Sequence, residues 1–401
     1  MKNVAVLWSC LAAIARWTLE WIRHQGAQGV IDRGLHKHHR GSDMNRKASM
    51  GAGQIIGLID GQQVFGVDIA KSVFQLHTVD MDTGEIINQQ IKRAKVLEYF
   101  ANRQSCLIGI EACGGAHYWA RKFKALGHSV RLIHAKAVRP FVCGNKTDAT
   151  DARAIWLAIQ QPGTKFVGMK TLEQQATLTL HRQRELLMKM KIMQMNSLRG
   201  LLYEFGTIFA KGARALLSEM ETALESLAKD IPQYVADSLR EQTQRIKQTE
   251  ADIRAIEQRL AQRLRENVDM KRVAEIPGVG LLTATAAIAT MGEARAFKSA
   301  REFCAWLGLV PKQRGTGGKV NLLGISKRGD TYLRTLLIHG ARSVLTNAKE
   351  PGPWLEQIKV RRPANVVIVA QAAKMARTIW AITAKQQEYQ RGYQSTKPLA
   401  A

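Results

Sequence analysis

Acidic residues are the scarce class in this chain of 401 residues: 33 Asp and Glu stand against 59 Lys and Arg, a formal charge of +26. Such an imbalance draws polyanions to the surface, and each phosphate it neutralises releases counterions, so nucleic acid is the expected partner. The excess is not a tail. From Arg301 to the end there are 17 Lys and Arg against 5 Asp and Glu, in a segment that still carries apolar helical periodicity. Cysteine is also sparse: Cys10, Cys106, Cys113, Cys143 and Cys304 form no CxxC pair and have no histidine at metal spacing. That excludes a zinc-ligand motif and a disulfide framework, and the thiols read as reduced side chains of a cytoplasmic protein. No apolar run reaches the length of a membrane span, so no membrane partner is expected. With 46% hydrophobic residues, general disorder is excluded as well.

The N-terminus has mixed signals. Lys2 precedes the apolar stretch Val4–Ala15, and Ala13-Ile14-Ala15 has the shape of a cleavage site, yet Arg16, Glu20 and Arg23 follow at amphipathic-helix spacing. Residues 25–53 are rich in Gly, His, Arg and Lys without apolar periodicity. Residues 1–60 therefore read as an N-terminal extension and basic linker.

From Gln63 the pattern becomes regular. Val64–Val67 is a short apolar run closed by Asp68; Ser72–Asp80 alternates; Asp82-Thr83-Gly84 is a turn; Glu85–Lys92 returns as a third strand. A helical stretch near Ala94–Asn102 leads to a second apolar strand, Cys106–Ile110, closed by Glu111. Ala116–Leu126 is helical, Val130–Ile133 a strand and Thr147–Ala158 a helix. Strands and helices alternating behind a hairpin, with acids at strand ends, is the layout of a ribonuclease-H-like (RuvC-like) α/β domain over 61–165.

Leu172–Phe205 and Ser218–Asn267 read as two long polar-rich helices of a middle region, 166–271. In the second, Leu239, Ile246, Ile253, Ile256, Leu260 and Leu264 recur at steps of seven, seven, three, four and four. That narrow seam suits a helical hairpin or a coiled-coil arm, with packing inside the same domain as the alternative. A mostly helical unit, 272–390, follows before the tail 391–401. It opens on Ile276-Pro277-Gly278-Val279-Gly280, a turn able to offer backbone N–H groups to a phosphate at a helix start. Ala296–Leu307 reads as a helix, Gly308–Leu323 as a Gly-rich basic loop, and Tyr332–Thr346 and Val366–Ala384 as closing helices. The fold class is α/β plus α.

The chemistry rests on four carboxylates. Asp68 and Glu111 end separate apolar strands, and Asp148 and Asp151, three apart in Lys146-Thr147-Asp148-Ala149-Thr150-Asp151-Ala152-Arg153, share one face if that segment starts a helix. Thr147 or Asp148 could also cap that helix. A carboxylate at the end of a buried strand is costly without a partner, and four converging on one site repel unless a hard cation such as Mg²⁺ joins them. Such a set suits phosphodiester chemistry.

Gly66-Val67-Asp68-Ile69-Ala70-Lys71, Ile110-Glu111-Ala112-Cys113-Gly114 and Asn145–Arg153 closely resemble the motifs of the DEDD-type insertion-sequence transposases, the IS-one-ten family with its IS-eleven-eleven subgroup. Ile276–Gly280, Trp306-Leu307-Gly308-Leu309-Val310-Pro311 and Gly324-Ile325-Ser326-Lys327-Arg328-Gly329-Asp330 extend the resemblance from about Val64 to Ala384. It implies a RuvC-like domain, a helical or coiled-coil middle and a C-terminal transposase domain. It also implies recombination of donor and target DNA directed by a structured non-coding bridge RNA. The assembly it implies is a homo-oligomer, dimer or tetramer, in which a C-terminal hydroxyl links covalently to DNA and another protomer's acids complete the site. The implied Mg²⁺ ligands and catalytic acids are Asp68, Glu111, Asp148 and Asp151.

The chain departs from that pattern at the nucleophile. The family's serine follows the Gly-Leu-x-Pro block, where this chain has Lys312-Gln313-Arg314-Gly315-Thr316-Gly317-Gly318-Lys319, with Thr316 its one hydroxyl. Thr316 is therefore the expected nucleophile, with Ser326 as fallback. Lys146, Lys312, Arg314, Lys319, Lys327, Arg328 and Arg334, with Arg361 and Arg362, are the expected phosphate contacts. The histidines, His77, His117, His134 and His181, show no ligand spacing. The acids alone leave two alternatives open: a RuvC-like structure-specific DNA nuclease, and a catalytically impaired nucleic-acid-binding relative.

Overall fold

The computed structural model describes residues 58–59, 61–80, 82–145, 147–227 and 229–392. The readings made for residues 1–57 and for Lys146 lie outside them. Strands β1 (Leu58–Ile59), β2 (Gln62–Ile69), β3 (Val73–Val79) and β4 (Ile86–Lys92) pair antiparallel in succession, so the end of the stretch expected as linker is already a strand. On the other side of β2, β5 (Leu107–Glu111) and β6 (Ser129–Ile133) add in parallel, and β7 (Phe166–Val167) returns antiparallel. The sheet order is β4-β3-β2-β5-β6-β7, with β1 also on β2. This is a mixed sheet whose hairpin precedes the crossover helices.

Alternation along β2 sorts the two faces. Phe65 and Val67 enter a cluster with Phe74, Phe100, Trp119 and Phe123, beneath α1 (Val96–Ala101) and α2 (Ala116–Ala125). Val64 turns the other way, to Leu107, Ile133, Ile155, Trp156 and Ile159; a short helix, α3 (Ala135–Val138), and the long α4 (Asp148–Gln160) cover that face. Gly66 and Gly109 are register partners across β2 and β5 on the α4 side. A Cβ at Gly66 would stand 2.2 Å from the Ala152 carbonyl oxygen and 2.6 Å from the Trp156 nitrogen; one at Gly109 would stand 2.9 Å from Ile159. The helix thus lies directly on bare backbone, at a distance no side chain permits. Its start is set by a capping box: the Thr147 hydroxyl accepts from the Thr150 N–H at 3.2 Å, and Thr150 Oγ1 accepts from the Thr147 N–H at 2.9 Å. Thr147 is the cap, which leaves both aspartates free of that duty.

The middle region differs from its expected form. Ser218–Asn267 is not one helix; α5 (Leu172–Glu204) is followed by α6 (Ala213–Leu227) and α7 (Gln233–Glu266), with the break at Asp230-Ile231-Pro232. Proline cannot donate to the preceding turn and fixes its own φ, so it starts the next helix instead. The α7 seam, Leu239, Ile246, Ile253, Ile256 and Leu260, is buried, and α7 packs along α5. It is therefore an intrachain seam rather than a dimerisation face. Arg184–Glu257 at 2.7 Å and Lys191–Glu250 at 2.8 Å flank it.

The C-terminal core comprises α8 (Val268–Ala274), α9 (Leu281–Met291), α10 (Ala300–Trp306), α11 (Thr331–Asn347), α12 (Pro353–Arg361) and α13 (Ala364–Lys385). The helix expected over Ala296–Leu307 is shorter, because Phe297 and Ser299 are extended and Ser299 caps α10. The helix α12 was not anticipated. The basic stretch expected as a loop is a β-hairpin, β8 (Pro311–Thr316) and β9 (Lys319–Ile325). Gly317 and Gly318 supply the two positive φ angles, 55° and 79°, of its two-residue turn. Among the described residues, one helix, α13, is long and apolar enough to cross a membrane, and half of that stretch is buried in this core.

The close seat of α4 gives a direct test. Gly66→Ala should destabilise the chain by about 1–3 kcal/mol or more in urea melts, because the new methyl meets main-chain atoms that cannot rotate away. Gly168→Ala, with open space at its Cβ, should change stability by less than about 0.5 kcal/mol. Equal effects at the two positions would refute the close-approach account.

Candidate active site

Parity along the strands places the first two acids. Asp68 lies two residues beyond Gly66 on β2, and Glu111 two beyond Gly109 on β5, so both project to the face that α4 covers. On α4, Asp148 is one turn before Ala152 and Asp151 one turn before Ile155, and these two residues dock on the sheet. The docking stripe therefore runs straight into two carboxylates in the first turn, where the helix dipole favours negative charge.

The charges of Asp151, Asp148 and Glu111 all act on Asp68. The Asp68 carboxyl is half-buried and pushed up to about 6, first by burial and then by Asp151, Asp148 and Glu111, against a lowering hydrogen bond from the Ile69 backbone. Partial desolvation, then Glu111 and Asp68, likewise raise the Cys113 thiol. Among the described residues, no three carboxylates, histidines or cysteines are arranged as a ready-made cation cage. The donors do fit a hard cation in kind: all are carboxylate oxygens, they repel one another, and a positive charge among them relieves that repulsion.

The C-terminal candidates sit on a different element. Thr316 is exposed beside the hairpin turn, opposite Lys319. Pairing of Arg314 with Asn321 and Thr316 with Lys319 puts these four side chains on one face of the ribbon, while Lys312 lies where the register shifts. Gln313, Gly315, Val320 and Leu322 take the other. Ser326 is no exposed nucleophile: its Oγ is buried without a hydrogen-bond partner, and its N–H donates to Val310 O at 2.8 Å. Gly308 and Gly329, both at φ 74°, interlock the hairpin base; a Cβ on Gly329 would stand 1.9 Å from Trp306 O, and one on Gly308 2.3 Å from Arg328 N.

Arg334 must be corrected. Expected as a phosphate contact, it is 7% exposed, and its guanidinium donates to Leu307 O at 3.0 Å, Arg328 O at 2.9 Å and Thr331 Oγ1 at 3.1 Å. It braces the hairpin base instead. Gly278 of the Pro-Gly-Val-Gly turn also has a packing reason, since a Cβ there would stand 2.7 Å from Gly340 O of α11. Lys312, Arg314, Lys319, Lys327 and Arg328 remain exposed. The glycine pair beneath α4 was missed in the sequence, although a glycine two residues before each strand-end acid was there to see.

Residues 65–206 match a family described as Transposase, of the DEDD insertion-sequence class, and residues 270–354 match the Transposase IS116/IS110/IS902 family. The "Probable family 20 transposase" of Pseudomonas aeruginosa is 43% identical over 82% of this chain and 98% of its own length. The chain belongs to the IS116/IS110/IS902 transposase family. The "Transposase for insertion sequence element IS1111A" of Coxiella burnetii is 38% identical over 82% of this chain and 92% of its own. That for IS1328 of Yersinia enterocolitica is 34% identical over 80% and 96%. This transposase is thus a DNA strand-transfer enzyme, and its DEDD class implies dependence on a divalent cation.

The raised Asp68 carboxyl fixes a sign. Without cations, the folded chain keeps between pH 4 and 6 a proton that the unfolded chain has lost, so this group's contribution to stability falls as pH rises through that window. In EDTA, Asp68→Asn should melt above wild type at pH 7.5, and the advantage should vanish below pH 4. Mg²⁺ should raise the wild-type Tm at pH 7.5 and leave the variant's unchanged. A Tm difference that is flat with pH would refute the shared acidic neighbourhood.

Proposed function

We propose that this transposase cuts and exchanges donor and target DNA strands with a RuvC-like acidic centre of Asp68, Glu111, Asp148 and Asp151 and the hydroxyl of Thr316. The observation that carries the reading is the convergence of the other three carboxylates on Asp68. Magnesium bound among them would polarise the scissile phosphodiester and stabilise charge on its oxygens. The protein's own part is positional. Asp68 and Glu111 are fixed by the sheet and Asp148 and Asp151 by the seat of α4, so the four approach from two rigid elements. In the strand-transfer step, Thr316 Oγ1 forms a bond to phosphorus, its proton leaves to solvent or a nearby base, and the DNA sugar oxygen departs and is protonated. Attack by a DNA hydroxyl on that link reverses the exchange and frees Thr316.

Three features support the C-terminal half of the reading. Thr316 is exposed while Ser326 is not, it shares its ribbon face with Arg314 and Lys319, and Lys327 and Arg328 lie at the ribbon's base. These cations, with the chain's charge of +26, suit DNA and also the structured bridge RNA that the sequence resemblance implies. Self-association has a candidate face. Leu186, Met190, Met193 and Leu201 are exposed along one side of α5, away from the seam with α7. A second copy in a dimer or tetramer would cover them.

Thr316→Ala should abolish a denaturant-resistant protein–DNA adduct with DNA binding retained, and Thr316→Ser should restore it. Asp68→Asn should lower recombination at least about a hundredfold, again with binding retained; full activity in it would overturn the acidic centre. Purified from cells, the chain should carry one discrete RNA, and random fragments would count against guidance. Met193→Glu should lower the sedimentation coefficient without lowering the Tm.

A further inference from the structure

A cationic cluster is built from residues of neither the acidic centre nor the hairpin. His117, in the first turn of α2, accepts through Nδ1 from the backbone N–H of Lys170 at 3.2 Å. With Nδ1 accepting, the proton of the neutral ring is on Nε2, and Nε2 faces Lys170 Nζ at 3.5 Å. Two donors thus confront each other with no acceptor between them. Arg121, one turn further along α2, holds the Lys170 segment in place, donating to Lys170 O at 2.9 Å and to Gln175 Oε1 at 2.8 Å. Arg182, exposed on α5, adds a third positive charge to the surroundings of both His117 and Lys170.

Among the described residues, none of Arg121, Lys170 and Arg182 is in a recorded ion pair. The negative charge that acts on Lys170 is that of Asp330, whose carboxylate also caps α11 by accepting from the Leu333 N–H at 2.7 Å. The positive charge is therefore incompletely balanced. Its effect appears on the ring: burial, then Lys170, Arg121 and Arg182, push His117 down to about 4. A structural ion network would pair these cations; an anion site leaves them waiting for one.

The location selects the anion. Glu111 and His117 are six positions apart, so the chain bounds their Cα separation to at most about 22 Å. A strand whose phosphate is cut at the acids reaches that far within a few nucleotides. We propose that His117, Lys170 and Arg182, with Arg121 as a positioning residue, form a cradle for a backbone phosphate of the DNA strand entering the acidic centre. It deepens the function proposed above and rests on it. The phosphate oxygen sits between His117 Nε2–H and Lys170 Nζ, supplying the acceptor both lack, and Arg182 closes the site from α5. The contact is to backbone alone, so it positions the strand and reads no base.

The test is the salt dependence of binding of the full chain to a fluorescein-labelled DNA duplex, for wild type and for Arg182→Gln and Lys170→Gln. Arg182 is exposed, so that variant keeps its fold even where Lys170→Gln does not. Each should weaken binding equally across unrelated sequences and lower the slope of log K against log salt by about one. In parallel, the His117 ring pKa, read by NMR, should rise on DNA binding in wild type and less in Arg182→Gln. An unchanged slope in Arg182→Gln, while wild type binds with a steep slope, overturns the cradle and leaves the proposed function standing. Loss of slope on a labelled RNA hairpin but not on DNA overturns the assignment to DNA. Wild type that binds no DNA at any salt defeats the underlying function, and the cradle with it.

Discussion

Everything at the acidic centre depends on how closely α4 can approach the sheet. Gly66 and Gly109 face each other in register across β2 and β5; the main chain of Ala152 and Trp156 occupies the space a side chain at Gly66 would need, and the Ile155 and Ile159 side chains fill that at Gly109. A helix resting on ordinary side chains stands about 10 Å from a sheet, and carboxylates on its first turn would then miss those at the strand ends. Removing two Cβ atoms brings the helix in, and the acids come with it. The repulsion this creates is borne by the fold, through the Trp156 indole N–H donating to Val64 O at 3.0 Å and the apolar stripe beneath α4. Packing energy distributed along thirteen residues thus holds together four charges that would otherwise move apart.

The same device recurs in the C-terminal core. Gly278 and Gly340 meet backbone to backbone, and Gly308 and Gly329 interlock the two segments that support the hairpin. Arg334 completes that support from inside, its fork shared by carbonyls from both segments. The Gly-Leu-Val-Pro and Ser-Lys-Arg-Gly-Asp blocks are therefore one structural joint seen twice in the sequence. What the joint presents is a narrow ribbon with Thr316 at its tip and cations along one face. Val320 and Leu322, on the opposite face, stay exposed.

How much of this was legible follows from what each feature needs. Period-two and period-3.6 patterns mark strands and helices locally, so β2 to β6, α2, α4 and α5 emerged from the sequence within a residue or two. The acids emerged too, because a charge closing an apolar run is a local anomaly. Partner choice is not local. The Leu239–Leu260 seam shows that α7 buries one side but not against what, and α5 supplied the answer from within the chain. Arg334 read as a surface cation because its burial depends on the carbonyls of Leu307 and Arg328, which accept from its guanidinium and are not adjacent to it in helical register. The hairpin read as a loop because Lys, Arg, Gly and Thr in its first strand carry no apolar alternation; the Gly317-Gly318 turn and the short alternation of Lys319–Leu322 were the signals for it.

The distribution of charge ties these elements into one argument. In a chain with 26 excess positive charges, acids are most stable when dispersed as partners for nearby cations, as they are along α7 and at Arg272. Four carboxylates gathered on one site run against that tendency, and so do Arg121, Lys170 and Arg182 around His117, none of which is in an ion pair among the described residues. Each arrangement destabilises the isolated chain, and each is relieved by a component of the reaction: a divalent cation in one case, a backbone phosphate in the other. Nucleic acid and metal would then stabilise each other's sites, since the phosphate brought in by the cations offers oxygens toward the acids. Binding of either should therefore strengthen binding of the other by the same factor, because linkage between two equilibria is reciprocal.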